Sequence, residues 1–221
     1  HNLMMGPLTW VGDGTTWRYT PYHIRHRTEV AGFMTFLHGD DRFYNNIFVQ
    51  GWPADAPFVQ GGPREHERLS GTWCFDEYPT YEEWISWFDM DVARPDMGKL
   101  EEFHNRHLPV WIDGNAYLGG ALHFCKEENY LFDDKTDVYV NIREEGDDVY
   151  LDTNLADAMG SYTSSLVETD TLGRVFEPTQ RFEDADGNDI IFDTDYFGNK
   201  RSAIIPGPFA SLDLKDKNVV L

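Results

Sequence analysis

Between Thr20 and Gly51 the chain gathers most of its groups capable of chemistry: His23, His26, Glu29, His38, Asp40, Asp41 and Arg42. Glu29, Asp40 and Asp41 are the best carboxyl candidates for proton transfer. Glu29 stands just before an apolar run, Val30 to Leu37, and close to His26. Burial there would raise its pKa and make it a general acid. Asp41 and Arg42 precede a second apolar run, Ile47 to Val49. They read either as site residues or as a structural turn with a local ion pair.

His23 and His26 have a spacing that a metal can use, but a site needs three or four ligands and no third is evident. Neither a metal nor a cofactor is expected. Hydrogen bonding to a sugar hydroxyl or to a carboxylate is the alternative role. Trp17 and Trp52 lie in loops flanking the stretch, where an aromatic face can pack on the C–H face of a pyranose. Trp84 and Trp111 read as packing residues. The DADGND segment sets Asp184, Asp186 and Asn188 at alternating positions and loosely resembles a calcium loop. Its Gly is misplaced and no bidentate Glu closes it, so a plain turn is expected. There is no nucleophile elbow, P-loop or dinucleotide fingerprint.

Both apolar runs have the length of buried strands and are too short to cross a membrane. Aromatic residues make up 15% of the 221 positions, Gly and Pro are frequent, and long helical patterns are scarce. That mixture favours an all-β fold. One helix is well marked: in TYEEWISWFDMDV, Thr80 is the cap and Glu83 its capping-box partner. A second short helix is expected from Met97 to His107. DVYVNIREEGDDVYLDTNL alternates apolar and polar residues about EGDD and predicts a hairpin. Cys74 and Cys125 sit beside aromatics and read as buried free thiols. The formal net charge of −21 disfavours nucleic acid and an anionic membrane surface as partners, and suits a neutral ligand such as a sugar.

HNLMMGP, NNIFVQG and GNAYLGG share a pattern in which Asn2, Asn46 and Asn115 each precede three mostly apolar residues, with Gly at the next position or the one after. The separations of 44 and 69 residues suit stacked coils of roughly 20–25 residues with insertions between them. In a parallel β-helix such asparagines stack at the corner, and their amides satisfy backbone groups there. Three unrelated turns are the simpler alternative.

The runs HNLMMG, TPYHIRHRTEVAGF and GDDRFYNNIFV resemble glycoside hydrolases built on a right-handed parallel β-helix, nearest the β-xylosidase type of glycoside hydrolase family 120. LPVWIDGNAYLGGA, LGRVFEPTQRFEDADG and FDTDYFGNKR resemble the carboxyl-terminal part of such proteins. The resemblance implies the last coils of a β-helix over 1–122, with a loop and helix inserted at about 52–107. A β-rich extension over 123–221 would pack on it. It implies retaining hydrolysis of xylo-oligosaccharides or related plant-wall glycans by two carboxylates.

In that family the nucleophilic Asp and the acid/base Glu precede the HNL turn. Neither role is carried over to a residue here. His23, His26, Glu29, Asp41, Arg42, Trp17 and Trp52 are then expected to line or support the cleft. The implied partners are an oligosaccharide and an upstream β-helix polypeptide, with self-association left open. Leu3, Met4, Met5, Leu8 and Trp10 would form an open edge, so the chain alone is expected to fold poorly. A polysaccharide lyase or epimerase, and a non-catalytic carbohydrate-binding or assembly domain, are the competing readings. No signal peptide or membrane span is evident, and the compartment is not readable.

Overall fold

The computed structural model describes residues 1–8, 19–35, 39–51, 68–87, 107–176 and 179–212. At its centre, strands β1 (Leu3–Met5), β5 (Ile47–Val49), β7 (Asn115–Leu118) and β8 (Tyr130–Asp133) form a parallel sheet in that order. The register sets Leu3 beside Ile47, Ile47 beside Ala116 and Ala116 beside Leu131. Side chains alternate between the two faces of a sheet, so these four share one face. Met4, Phe48, Tyr117 and Phe132 share the other.

The first face forms the larger core. Ile47, Val49, Ala116 and Leu118 are buried there with Leu155, Met159, Phe209 and Leu212. On the second face the Phe48 and Tyr117 rings stack at 5.2 Å and 6°. Strands covered on both faces read as unbroken apolar runs, which explains IFV and AYL.

Asn2 and Asn46 precede β1 and β5, Asn115 opens β7, and the three form a ladder. The backbone N–H and side-chain amide of Asn2 both donate to Asn46 Oδ1, at 3.0 and 2.9 Å. Asn46 repeats the pair on Asn115 Oδ1, at 2.9 and 3.0 Å. Asn115 repeats it once more, at 3.1 and 2.9 Å, but the acceptor is Glu127 Oε1. Glu127 stands where a fourth asparagine would continue the series.

Around this sheet lie three smaller ones. Strands β4 (Arg42–Tyr44) and β6 (Trp111–Asp113) pair in parallel. The pairs β2 (Tyr19–His23) with β3 (Val30–Thr35), and β9 (Val140–Glu145) with β10 (Asp148–Thr153), are antiparallel. The second hairpin turns at Gly146, whose φ of 65° suits glycine. Helices α1 (Tyr81–Ser86), α2 (Leu155–Met159) and α3 (Thr169–Leu172), with a short 3-10 helix at Trp73–Phe75, complete the described elements. Thr80 and Glu83 form the predicted capping box, with both of its bonds present.

This architecture corrects the expected fold class. The all-β assignment, as the last coils of a right-handed parallel β-helix, does not hold. The described strands are short and fall into separate sheets, two parallel and two antiparallel, with helices among them, and they trace no solenoid. The Asn spacing reported a local ladder correctly; short-range register does not fix how the intervening chain is wound.

Two local expectations also change. Val30, expected in a buried strand, is half exposed on the β2–β3 hairpin. Cys125 is exposed, whereas Cys74 is partly buried and its thiol is pushed up to about 11 by burial; neither is joined in a disulfide. The helix expected at Met97 to His107, except its last residue, lies outside the described residues. No described helix is long and apolar enough to cross a membrane.

Candidate functional site

Arg42, at the start of β4, has a side chain only 7% exposed. Its guanidinium lies between the rings of Trp111 and Phe182, 4.2 and 4.6 Å from their centroids. Nε donates to the Leu172 carbonyl at 2.7 Å, and Nη2 to that of Arg174 at 2.7 Å. Nη1 donates both to the carbonyl of Asp40 and, at 2.8 Å, to its carboxylate. The second oxygen of Asp40 accepts from the Phe176 N–H at 2.9 Å. Asp40 and Arg42 therefore bind residues 172–176 to the strand. The ion pair falls on Asp40; Asp41 is exposed beside it.

Arg201 does the same elsewhere, donating to the carbonyls of Thr194, Ile205, Gly207 and Phe209. A planar guanidinium with five donors is suited to gathering carbonyls from segments that lack regular structure.

His23, His26 and Glu29 lie on the β2–β3 hairpin. His23 Nδ1 is 3.1 Å from the Thr28 carbonyl. His26 has a φ of 56° and places Nε2 3.2 Å from Glu183. Arg25 pairs with the same carboxylate. The side chain of Glu29 is 64% exposed and meets Arg27 at 3.4 Å. The carboxylate of Glu29 is therefore open to solvent.

Phe182 and Glu183 join the two halves of the sequence-derived group: one ring covers Arg42, and the next carboxylate holds Arg25 and His26. Neither was legible beforehand, because both lie more than 130 residues from their partners, in a segment that reads as an ordinary turn. The DADGND turn itself forms as expected. Asp184 caps it by accepting from the N–H groups of Asp186 and Asn188. Trp17, Trp52 and His38 lie outside the described residues.

Next to β4 opens a cleft of about 250 Å³. Asn2, Arg42 and Tyr44 supply polar groups to its lining, and Met4, Leu172 and Phe192 are among its apolar ones. Burial, with the charge of Asp113, raises the Tyr44 pKa despite the opposing charge of Arg42, so its hydroxyl stays protonated near neutral pH. Of the sequence-predicted residues, Arg42 borders this cleft, while His23, His26, Glu29 and Asp41 are not in its lining. No Asp or Glu is among its described lining residues. Chemically its described lining can hold a neutral polar ring and includes no carboxylate for acid–base hydrolysis.

Glu127 is the strongly buried carboxyl of the described residues, 5% exposed. Burial pushes its pKa up, and the charge of Asp113 adds to this, against bonds from Tyr117 and Asn115. Perturbed carboxyl groups often mark functional sites. Here every side-chain hydrogen bond of Glu127 closes the asparagine ladder or meets Tyr117, so its role is structural.

No protein-family model matches the chain, and no curated protein matches it. Its structure is similar to that of XylC in complex with xylose, with a TM-score of 0.72 and 34% sequence identity. The match covers 96% of this chain and 30% of the XylC chain, so this chain spans less than a third of XylC's length.

Proposed function

We propose that this chain is part of a glycoside hydrolase of the β-xylosidase type, acting on xylo-oligosaccharides or related plant-wall glycans. The observation that carries the reading is the likeness to xylose-bound XylC over almost the whole chain at 34% identity. Retaining hydrolysis uses two carboxyl groups about 5–5.5 Å apart, one as nucleophile and one as acid and then base. The cleft beside β4 has no such pair among its described lining residues. We assign the catalytic Asp and Glu to residues outside this cleft. This chain contributes sugar contacts and the clamps that hold them.

The test is hydrolysis of an aryl β-xyloside and of xylotriose by the full-length protein, with the anomer of the first product followed by NMR. Release of β-xylose is expected. Binding without turnover would overturn the hydrolase assignment in favour of a non-catalytic carbohydrate-binding module, which a cleft with no Asp or Glu among its described lining residues would also suit. A lyase acting on uronates has less support, because Arg42, the arginine at the cleft, is already paired with Asp40.

A further inference from the structure

We propose that Glu183 is an electrostatic latch. It holds the β2–β3 hairpin against residues 180–183, and the hairpin opens as a unit when that carboxylate loses its charge or is screened by salt. This device is independent of the hydrolase reading.

Residues 180–183 are bonded firmly to the body of the fold. The Gln180 carbonyl accepts from the Val175 N–H at 2.8 Å. The Phe182 carbonyl accepts at 3.0 Å from the hydroxyl of Thr169, a residue only 2% exposed. Arg181 pairs with Asp189 at 2.7 Å and with Asp170 at 3.6 Å. The Phe182 ring lies over the guanidinium of Arg42.

The hairpin is tied differently. Its tip is closed by its own backbone: the Ile24 N–H donates to the Glu29 carbonyl and the Arg27 N–H to the Ile24 carbonyl, both at 3.0 Å. Within that tip Arg25 and His26 both reach the Glu183 carboxylate, His26 from a left-handed φ of 56°. The Gln180 amide donates to the His23 carbonyl at 2.6 Å. Among the described residues, these contacts to Gln180 and Glu183 are all the hydrogen bonds the hairpin makes beyond itself.

The charges on the two sides are complementary. Residues 23–29 carry Arg25, Arg27, His23 and His26 against Glu29 alone, on a chain of net charge −21. Residues 183–189 carry Glu183, Asp184, Asp186 and Asp189. A basic tip therefore docks on an acidic turn, and the side chain of Glu183, 13% exposed, is the carboxylate that both cations meet. An isolated two-stranded hairpin is marginally stable at best, so the amides of β2 and β3 are protected only while the tip is docked. Ionic contacts between partly exposed groups weaken as salt rises. The hairpin that carries His23, His26 and Glu29 is thus a unit whose position one carboxylate sets.

Hydrogen exchange read by mass spectrometry on the full-length protein tests the latch, comparing wild type, Glu183→Gln and the charge swap Arg25→Glu with Glu183→Arg. Exchange follows the population of the open form. Glu183→Gln keeps the shape and removes the charge. Peptides from 19–35 are expected to exchange about fivefold faster, equivalent to about 1 kcal/mol, while those covering 45–51 and 115–118 keep the wild-type rate. The charge swap should return the rate toward wild type. In wild type the same peptides should exchange faster as NaCl rises from about 0.01 M to about 1 M, over which the Debye length falls from about 30 Å to about 3 Å. Glu183→Gln should respond little to that rise. An unchanged rate over 19–35 in Glu183→Gln would overturn the latch. Equal acceleration at 45–51 and 115–118 would overturn it too, because that is general destabilisation. If Glu183→Gln fails to fold, the wild-type salt series decides: acceleration confined to 19–35 supports the latch and a flat response overturns it.

Discussion

Asn115 gives Glu127 the same pair of bonds that Asn46 gives Asn115: one from the backbone N–H and one from the side-chain amide, converging on a single oxygen. The carboxylate closes a series of amides. Its other oxygen accepts from the Tyr117 hydroxyl, so truncation would leave several buried donors unpaired.

Glu127→Ala is therefore expected to destabilise the protein by about 2–4 kcal/mol, since each buried unsatisfied group costs about 1–3 kcal/mol and the site relaxes in part. Glu127→Gln keeps the carbonyl acceptor and should lie near wild type. Urea unfolding of the full-length protein measures both. Equal loss in the two variants would show that charge, not the acceptor, holds the ladder end.

The raised pKa of Glu127 has a definite pH signature. A carboxyl whose folded pKa lies above its ordinary 4.5 holds its proton longer in the folded state. Its contribution to stability is full below about 4.5 and is lost as pH rises through the folded value. Wild type should therefore lose stability relative to Glu127→Gln as pH rises above about 4.5. Parallel unfolding curves against pH would contradict this.

Arg42 is expected to behave as a clamp more than as a ligand contact. Removing one partner from a buried ion pair costs about 3–5 kcal/mol. Arg42→Lys should recover only part of the roughly 3–5 kcal/mol that Arg42→Ala loses, because an ammonium cannot serve Asp40, Leu172 and Arg174 together and stack between two rings. Denaturant midpoints report the loss. A variant of native stability with impaired sugar binding would reverse the assignment.

Glu29→Gln should leave turnover of the full-length protein within about twofold of wild type, because exposed pairs such as Glu29–Arg27 contribute about 0–1 kcal/mol. A large fall in kcat would return Glu29 to the reacting centre.

Gly71→Ala should prevent folding or sharply reduce soluble yield. Gly71 has a φ of 104°, and an added Cβ would lie 2.0 Å from the Leu122 carbonyl oxygen. Backbone on both sides leaves no flexible side chain to yield. Soluble expression and circular dichroism against wild type check this.

Local rules in the sequence determined several elements by themselves. Thr80 and Glu83 are three residues apart, and a capping box needs nothing further. EGDD sits between two alternating runs, and the β9–β10 hairpin follows from that period. The asparagines announced their ladder because each precedes a similar apolar triplet. Each of these depends on neighbours in the chain or on a repeated local pattern.

Tertiary structure alone decided the remainder. Whether Glu29 is buried depends on what covers the hairpin, and the described structure leaves it open to solvent. Arg42 became a clamp because Leu172, Arg174 and Phe182, some 130–140 residues away, fold over it. Glu127 carries no signal in the sequence, since a carboxylate replacing an amide breaks the repeat that revealed the ladder. The cleft beside β4 joins Asn2, Tyr44 and Phe192, residues that no spacing rule connects. Burial and long-range contact are properties of the packed chain, so residues whose roles depend on them stay silent until the fold is known.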